Sequence, residues 1–146
     1  MTYACIGTRQ RSDDTRGVRL RLARKCRMDI FRVFHLQCAR RLPALPETHP
    51  CSRLHGHSFR VELTVSGDID PVLGWVLDFA DIEAAWRPIH AALDHRCLND
   101  IAGLENPTSE NLAVWLWQHL KPVLSGLSAI QVMESHDSGC IYRGSP

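Results

Sequence analysis

No stretch of this 146-residue chain approaches the ~20 apolar residues that a membrane-spanning helix needs. The basic head has no continuous apolar run of the kind a secretory signal carries. There is no internal repeat and no low-complexity segment, which argues against a solenoid or a linker-rich chain. Net charge is also scarce, at a formal +1. That charge is unevenly placed: residues 1–27 hold eight Lys/Arg against two Asp, and residues 28–146 hold nine Lys/Arg against fourteen Asp/Glu. The body is therefore mildly acidic and gives no reason to expect a nucleic-acid partner. The six cysteines come without a secretory context, so reduced thiols in a cytoplasmic protein are expected.

The length suggests one domain, placed at 28–146. Residues 1–27 read as a basic extension, disordered or non-native, with Met28 as a candidate true start.

The most informative stretch is Cys51-Ser-Arg-Leu-His55-Gly-His57. It runs into Ser-Phe-Arg-Val-Glu-Leu-Thr-Val, which alternates like a strand. Residues two apart on a strand share a face, so His55 and His57 present two imidazoles side by side. That is the start of a metal site, although a His-x-His pair also arises by chance. A thiol near a divalent ion and other imidazoles loses its proton more easily, which makes Cys51 a candidate base or nucleophile.

The remaining periodicity predicts an α+β arrangement. Strands are expected at 30–40, 57–66 and 74–79 and, after two helices, at 129–135 and 139–142. The first helix should start at an Asp81 cap and bury Ile82, Trp86, Ile89 and Leu93, with Pro88 as a kink or break. The second should start at a Thr108 cap, bury Leu112, Trp115, Leu116 and Leu120, and end at Pro122.

Asp94-His95 closes the first helix pattern. Two readings stand: a carboxylate that orients an imidazole for proton transfer with Cys51, or a histidine favoured by the helix dipole beside a solvated aspartate. Glu134 can accept two parallel hydrogen bonds from a guanidine-like edge, such as that of a pterin or guanine, or be an ordinary exposed strand residue. Thr108-Ser109-Glu110 is first of all a capping sequence.

Together these pieces resemble the 6-pyruvoyltetrahydropterin synthase superfamily, and within it the 6-carboxytetrahydropterin synthases of queuosine biosynthesis. The matching motifs include Arg41-Leu42-Pro43, His49-Pro50-Cys51, Leu54-His55-Gly56-His57-Ser58-Phe59, Gly74-Trp75-Val76-Leu77-Asp78-Phe79, Leu93-Asp94-His95 and Leu98-Asn99-Asp100. They continue through Gly103-Leu104-Glu105-Asn106-Pro107-Thr108-Ser109-Glu110 and Gly139-Cys140-Ile141-Tyr142-Arg143-Gly144.

The resemblance implies a T-fold: an antiparallel sheet with two helices on one face, in the order ββααββ. It implies a homo-oligomer that closes a barrel and forms active sites between subunits. It also implies conversion of 7,8-dihydroneopterin triphosphate to 6-carboxy-5,6,7,8-tetrahydropterin, with loss of acetaldehyde and triphosphate. Related outcomes are another pterin substrate, such as pyruvoyltetrahydropterin or sepiapterin, or a pterin- or purine-binding paralogue without catalysis. By the same resemblance His55 and His57 are zinc ligands and Cys51 is the proton-abstracting thiolate. Asp94 with His95 is its acid–base partner, and Glu134 anchors the pterin with Thr108, Ser109 and Glu110 near the ring.

One position departs from the pattern. The family reads Ala-Ala-His-Arg-Leu-Pro where this sequence reads Cys38-Ala39-Arg40-Arg41-Leu42-Pro43, so the first zinc histidine is Arg40 here. A guanidinium has no lone pair to give a metal. Either Cys38, two positions back on the same strand face, supplies the third zinc ligand, or zinc binds weakly through His55, His57 and water, or zinc is lost. His35 falls on the opposite face, and His136 is a further ligand candidate.

Overall fold

The computed structural model describes residues 27–144. The reading of residues 1–26 as a basic extension lies outside the described residues; Arg27 already belongs to the first strand. The elements are β1 (Arg27–Arg40), β2 (His55–Asp68), α1 (Phe79–Leu93), α2 (Ser109–Leu120), β3 (Leu127–Met133) and β4 (Gly139–Tyr142), with short 3-10 turns at Pro50–Ser52 and Leu98–Asp100. The strands form one antiparallel sheet in the order β1-β2-β3-β4.

Alternation explains the sheet. Phe59, Val61, Leu63 and Val65 of β2 are buried on one face, and Leu36, Cys38 and Arg40 of β1 are buried beside them. α1 packs on β1, and α2 packs on β3 and β4. The helices contribute Ile82, Trp86, Ile89 and Leu93, then Leu112, Trp115, Leu116 and Leu120, to one core with the sheet. Burying each such Leu or Ile side chain stabilises the fold by about 2 kcal/mol. Among the described residues no helix is long and apolar enough to cross a membrane.

The strand expected at 74–79 does not form. Gly74 takes a positive φ of 78°, and the Asp70 carboxylate accepts hydrogen bonds from the backbone N–H groups of Val72 and Leu73 at 2.8 Å each. These bonds fold the segment into a turn. Its last residues open α1: Asp78, not Asp81, is the N-cap, accepting from the Ala80 N–H at 2.8 Å. Such a cap is worth about 1 kcal/mol. A short apolar run cannot by itself separate strand from helix start.

Pro88 neither breaks nor ends α1, which continues to Leu93. β3 ends at Met133, so Glu134 lies one residue past the strand expected to contain it, with its N–H donating to the Ser138 carbonyl.

Candidate active site

The ends of β1 and β2 place Arg40 directly across from His55 and Cys38 across from His57. The two imidazoles lie edge to face, with ring centroids 4.9 Å apart. Arg40 is only 2 % exposed. Its guanidinium donates to the Pro107 carbonyl at 2.9 Å, to His57 Nε2 at 3.1 Å and to Glu134 Oε1 at 2.7 Å. It also lies over the Phe59 ring, 5.1 Å from its centroid. Ser109 Oγ donates to the same Glu134 oxygen. One partly buried network thus joins the end of β1, the histidine strand, the start of α2 and the segment after β3.

The electrostatics follow from that network. Burial alone would push the Glu134 carboxyl upward, but the hydrogen bonds from Ser109 and Arg40 and the Arg40 charge outweigh it and hold the group below its ordinary value. Burial, then the Arg40 charge, pulls the His57 imidazole below its ordinary value. Arginine only donates, so His57 Nε2 is the acceptor in their bond. His55 Nδ1 faces the Arg53 carbonyl at 2.7 Å and must carry the proton there. In the neutral ring the His55 Nε2 lone pair is then free, and that atom is buried without a partner.

A second cluster forms where the backbone leaves α1. Asp94 caps the helix C-terminus. Its Oδ1 accepts from the Gln37 N–H at 2.8 Å, and its Oδ2 meets His95 Nδ1 at 2.7 Å. The His95 N–H donates to the Gln37 carbonyl at 2.6 Å, and the Ala39 N–H to the Arg96 carbonyl at 2.9 Å, so this loop is sewn onto β1. The Gln37 N–H bond is the main cause that holds the Asp94 carboxyl below its ordinary value, helped by His95. His95 has a left-handed backbone, with φ of 57°, uncommon for a residue other than glycine. It lines an open groove of about 510 Å³ together with Gln37, Gly56, His57 and Ser58.

The predicted residues therefore divide. His55, His57, Arg40, Glu134 and Ser109 come together in the first cluster, and Asp94 and His95 in the second. Cys51 sits half-buried in the turn just before His55, its carbonyl tied to the Leu42 N–H and its N–H donated to His49 Nδ1. Thr108 caps α2 as expected by accepting from the Asn111 N–H at 3.2 Å, and Glu110 is exposed in the first turn. His136 is on an exposed turn.

Sequence reasoning missed Gln37, whose main chain holds both Asp94 and His95. It also missed Asn99, whose side chain bonds the Arg41 N–H, the Arg41 carbonyl and the Glu105 carbonyl. Asn99 belongs to the Leu98-Asn99-Asp100 motif, which is a usable signal; Gln37 has none, because it acts through its backbone.

A catalytic zinc takes three protein ligands and leaves one position open. Among the described residues no group of three His, Cys, Asp or Glu could hold such an ion. Cys38 does not complete the set: its thiol donates to the Leu93 carbonyl at 3.3 Å, and burial, helped by the Asp94 charge, pushes its pKa up to about 11. The His57 lone pair is spent on Arg40, and a fixed guanidinium is beside the two imidazoles. This donor set does not fit zinc.

The family model described as 6-pyruvoyl tetrahydropterin synthase matches residues 29–145. The chain belongs to that family. It is 37 % identical over 119 residues to the 6-carboxy-5,6,7,8-tetrahydropterin synthase of Synechocystis, covering 77 % of this chain and 91 % of that one. It is 36 % identical over 89 residues to the dihydroneopterin monophosphate aldolase of Pyrococcus furiosus, covering 59 % and 75 %. The structure of Caenorhabditis elegans 6-pyruvoyl tetrahydropterin synthase superposes with a TM-score of 0.78 at 26 % identity, covering 85 % of this chain and all of that one. The sheet with its two helices is the T-fold that the sequence resemblance implied. These relatives carry three different reaction names, so membership settles the fold and the family but leaves the reaction to the site.

Proposed function

We propose that this protein is a pterin-converting lyase of the 6-carboxytetrahydropterin synthase type. Its substrates are 7,8-dihydroneopterin triphosphate and one water, and its products are 6-carboxy-5,6,7,8-tetrahydropterin, acetaldehyde and triphosphate, a cytoplasmic step toward queuosine. The observation that carries this reading is the Asp94–His95 pair, fixed to β1 through Gln37 at the rim of the groove that also holds His57.

Each residue then has a task. Arg40 and Ser109 both bond Glu134 Oε1, which leaves Oε2 to accept from the 2-amino and ring N–H edge of the pterin. Ser109 positions that carboxylate, and Thr108 and Glu110 flank the ring. Cys51, as thiolate, takes a proton from a carbon of the substrate's hydroxylated tail. His95 carries protons between tail and ring, and Asp94 sets its tautomer. None of these tasks calls on a metal ion.

β1 is a sheet-edge strand of 14 residues. A long edge strand invites pairing with another copy, which supports a homo-oligomer that closes a barrel and completes each site with a neighbour's residues.

A second reading has its own observation. The Arg40–Glu134 pair is what a pterin- or purine-binding paralogue without catalysis would keep after losing its metal. Mass analysis of the products from dihydroneopterin triphosphate separates the two. Carboxytetrahydropterin supports the lyase, a different pterin supports a related enzyme, and untouched substrate that nevertheless binds supports the paralogue.

A further inference from the structure

We infer that His55, His57 and Arg40 form a metal-free receptor for a hydroxyl group of the ligand, with the Arg40 guanidinium as its fixed positive charge. Two buried atoms at this place lack partners among the described residues. They are Arg40 Nε, which can only donate, and His55 Nε2, which in the neutral ring can only accept. The two residues face each other across the β1–β2 ladder. Buried polar atoms left without partners are rare and costly. A hydroxyl both donates and accepts, so it has the chemistry that the two atoms lack. A metal ion would answer His55 alone and would sit against a cation.

Arg40 is also held too firmly to swing aside. Pro107, Glu134 and His57 take its donors, Phe59 lies under its plane, and its charge is neutralised by Glu134. Displacing it would leave the buried guanidinium without its bonds. Arginine thus supplies a permanent charge and directed N–H groups where a metal would supply an exchangeable Lewis acid.

The ligand's identity rests on the pterin reading; the absence of a metal requirement does not. The full-length protein is expressed in zinc-replete medium and its metal content measured. The wild type should carry well under about 0.1 zinc per protomer, whereas Arg40→His, which restores three imidazoles, should carry about one. About one zinc in the wild type, lost in His55→Ala, overturns the inference, and that result does not depend on how Arg40→His folds. Calorimetric titration with two probes tests the receptor. Neopterin, which carries a hydroxylated tail, should bind at least about 10-fold tighter than pterin, which has none, and His55→Ala should erase the difference. Equal affinities overturn the hydroxyl assignment. If neither probe binds, the pterin reading and the hydroxyl assignment fall together, while the zinc content still decides the metal claim.

Discussion

Two carboxylate-centred pairs flank the histidine strand, and they are built in opposite ways. Arg40–Glu134 is dry on its cationic side, with Arg40 2 % exposed and three of the five guanidinium N–H groups bonded to Pro107, His57 and Glu134. Asp94–His95 is wet on its basic side, with the His95 side chain 78 % exposed, and its carboxylate is anchored by the Gln37 backbone N–H with His90 Nε2 3.6 Å away. A buried, ion-paired charge holds shape and cannot readily change its protonation. An imidazole on a strained backbone at a groove's rim can take a proton and release it. The first pair suits recognition, the second chemistry.

The largest effect should come from a residue outside both pairs, which sets the zero for comparing them. Cys51→Ala should cut turnover by about 10³-fold while pterin affinity holds, as measured by steady-state kinetics and calorimetry. Breaking the dry pair comes next. Glu134→Ala should abolish measurable pterin binding and, because Arg40 keeps its buried charge, lower stability by about 3 kcal/mol in urea unfolding. Breaking the wet pair should act mainly on turnover: Asp94→Asn should lower kcat by about 100-fold, with little change in affinity and a smaller loss of stability than Glu134→Ala.

A pH profile sharpens the contrast. Both carboxyls sit below their ordinary values, Asp94 chiefly through Gln37 and Glu134 through Ser109 and Arg40 against the cost of burial. A depressed carboxyl stabilises the fold above its unfolded pKa and loses that contribution as pH falls through the folded value. Thermal stability should therefore decline below pH ~4, and Glu134→Gln and Asp94→Asn should each flatten that decline. The smallest effect is at Cys38. Its thiol, raised to about 11, stays protonated in the fold, so its contribution is present below pH 9 and fades as pH rises toward 11. At neutral pH it should resist alkylation until the protein unfolds.

Much of this architecture is legible in the sequence because it repeats. The alternation from Phe59 to Val65 and the three-and-four spacing from Ile82 to Leu93 both mark buried faces, and both are buried. The segment at 74–79 misleads because its apolar run is short and its turn depends on Gly74 and the Asp70 carboxylate. Arg40 is visible as a departure at a metal position. Its pairing with Glu134, 94 residues away, is not, because only the folded sheet brings them together. Gln37 is illegible because backbone N–H and carbonyl groups are the same at every residue.

On the proposed reading, pterin conversion needs no metal ion, and the fixed charge of Arg40 stands where one would bind. Chelator-treated protein incubated with dihydroneopterin triphosphate, with products followed by mass, tests it most directly. Carboxytetrahydropterin should form at a rate that neither chelator nor added zinc alters. Turnover that stops with chelator and returns with zinc would contradict the role given to Arg40, and substrate recovered intact under every condition would contradict the enzyme itself.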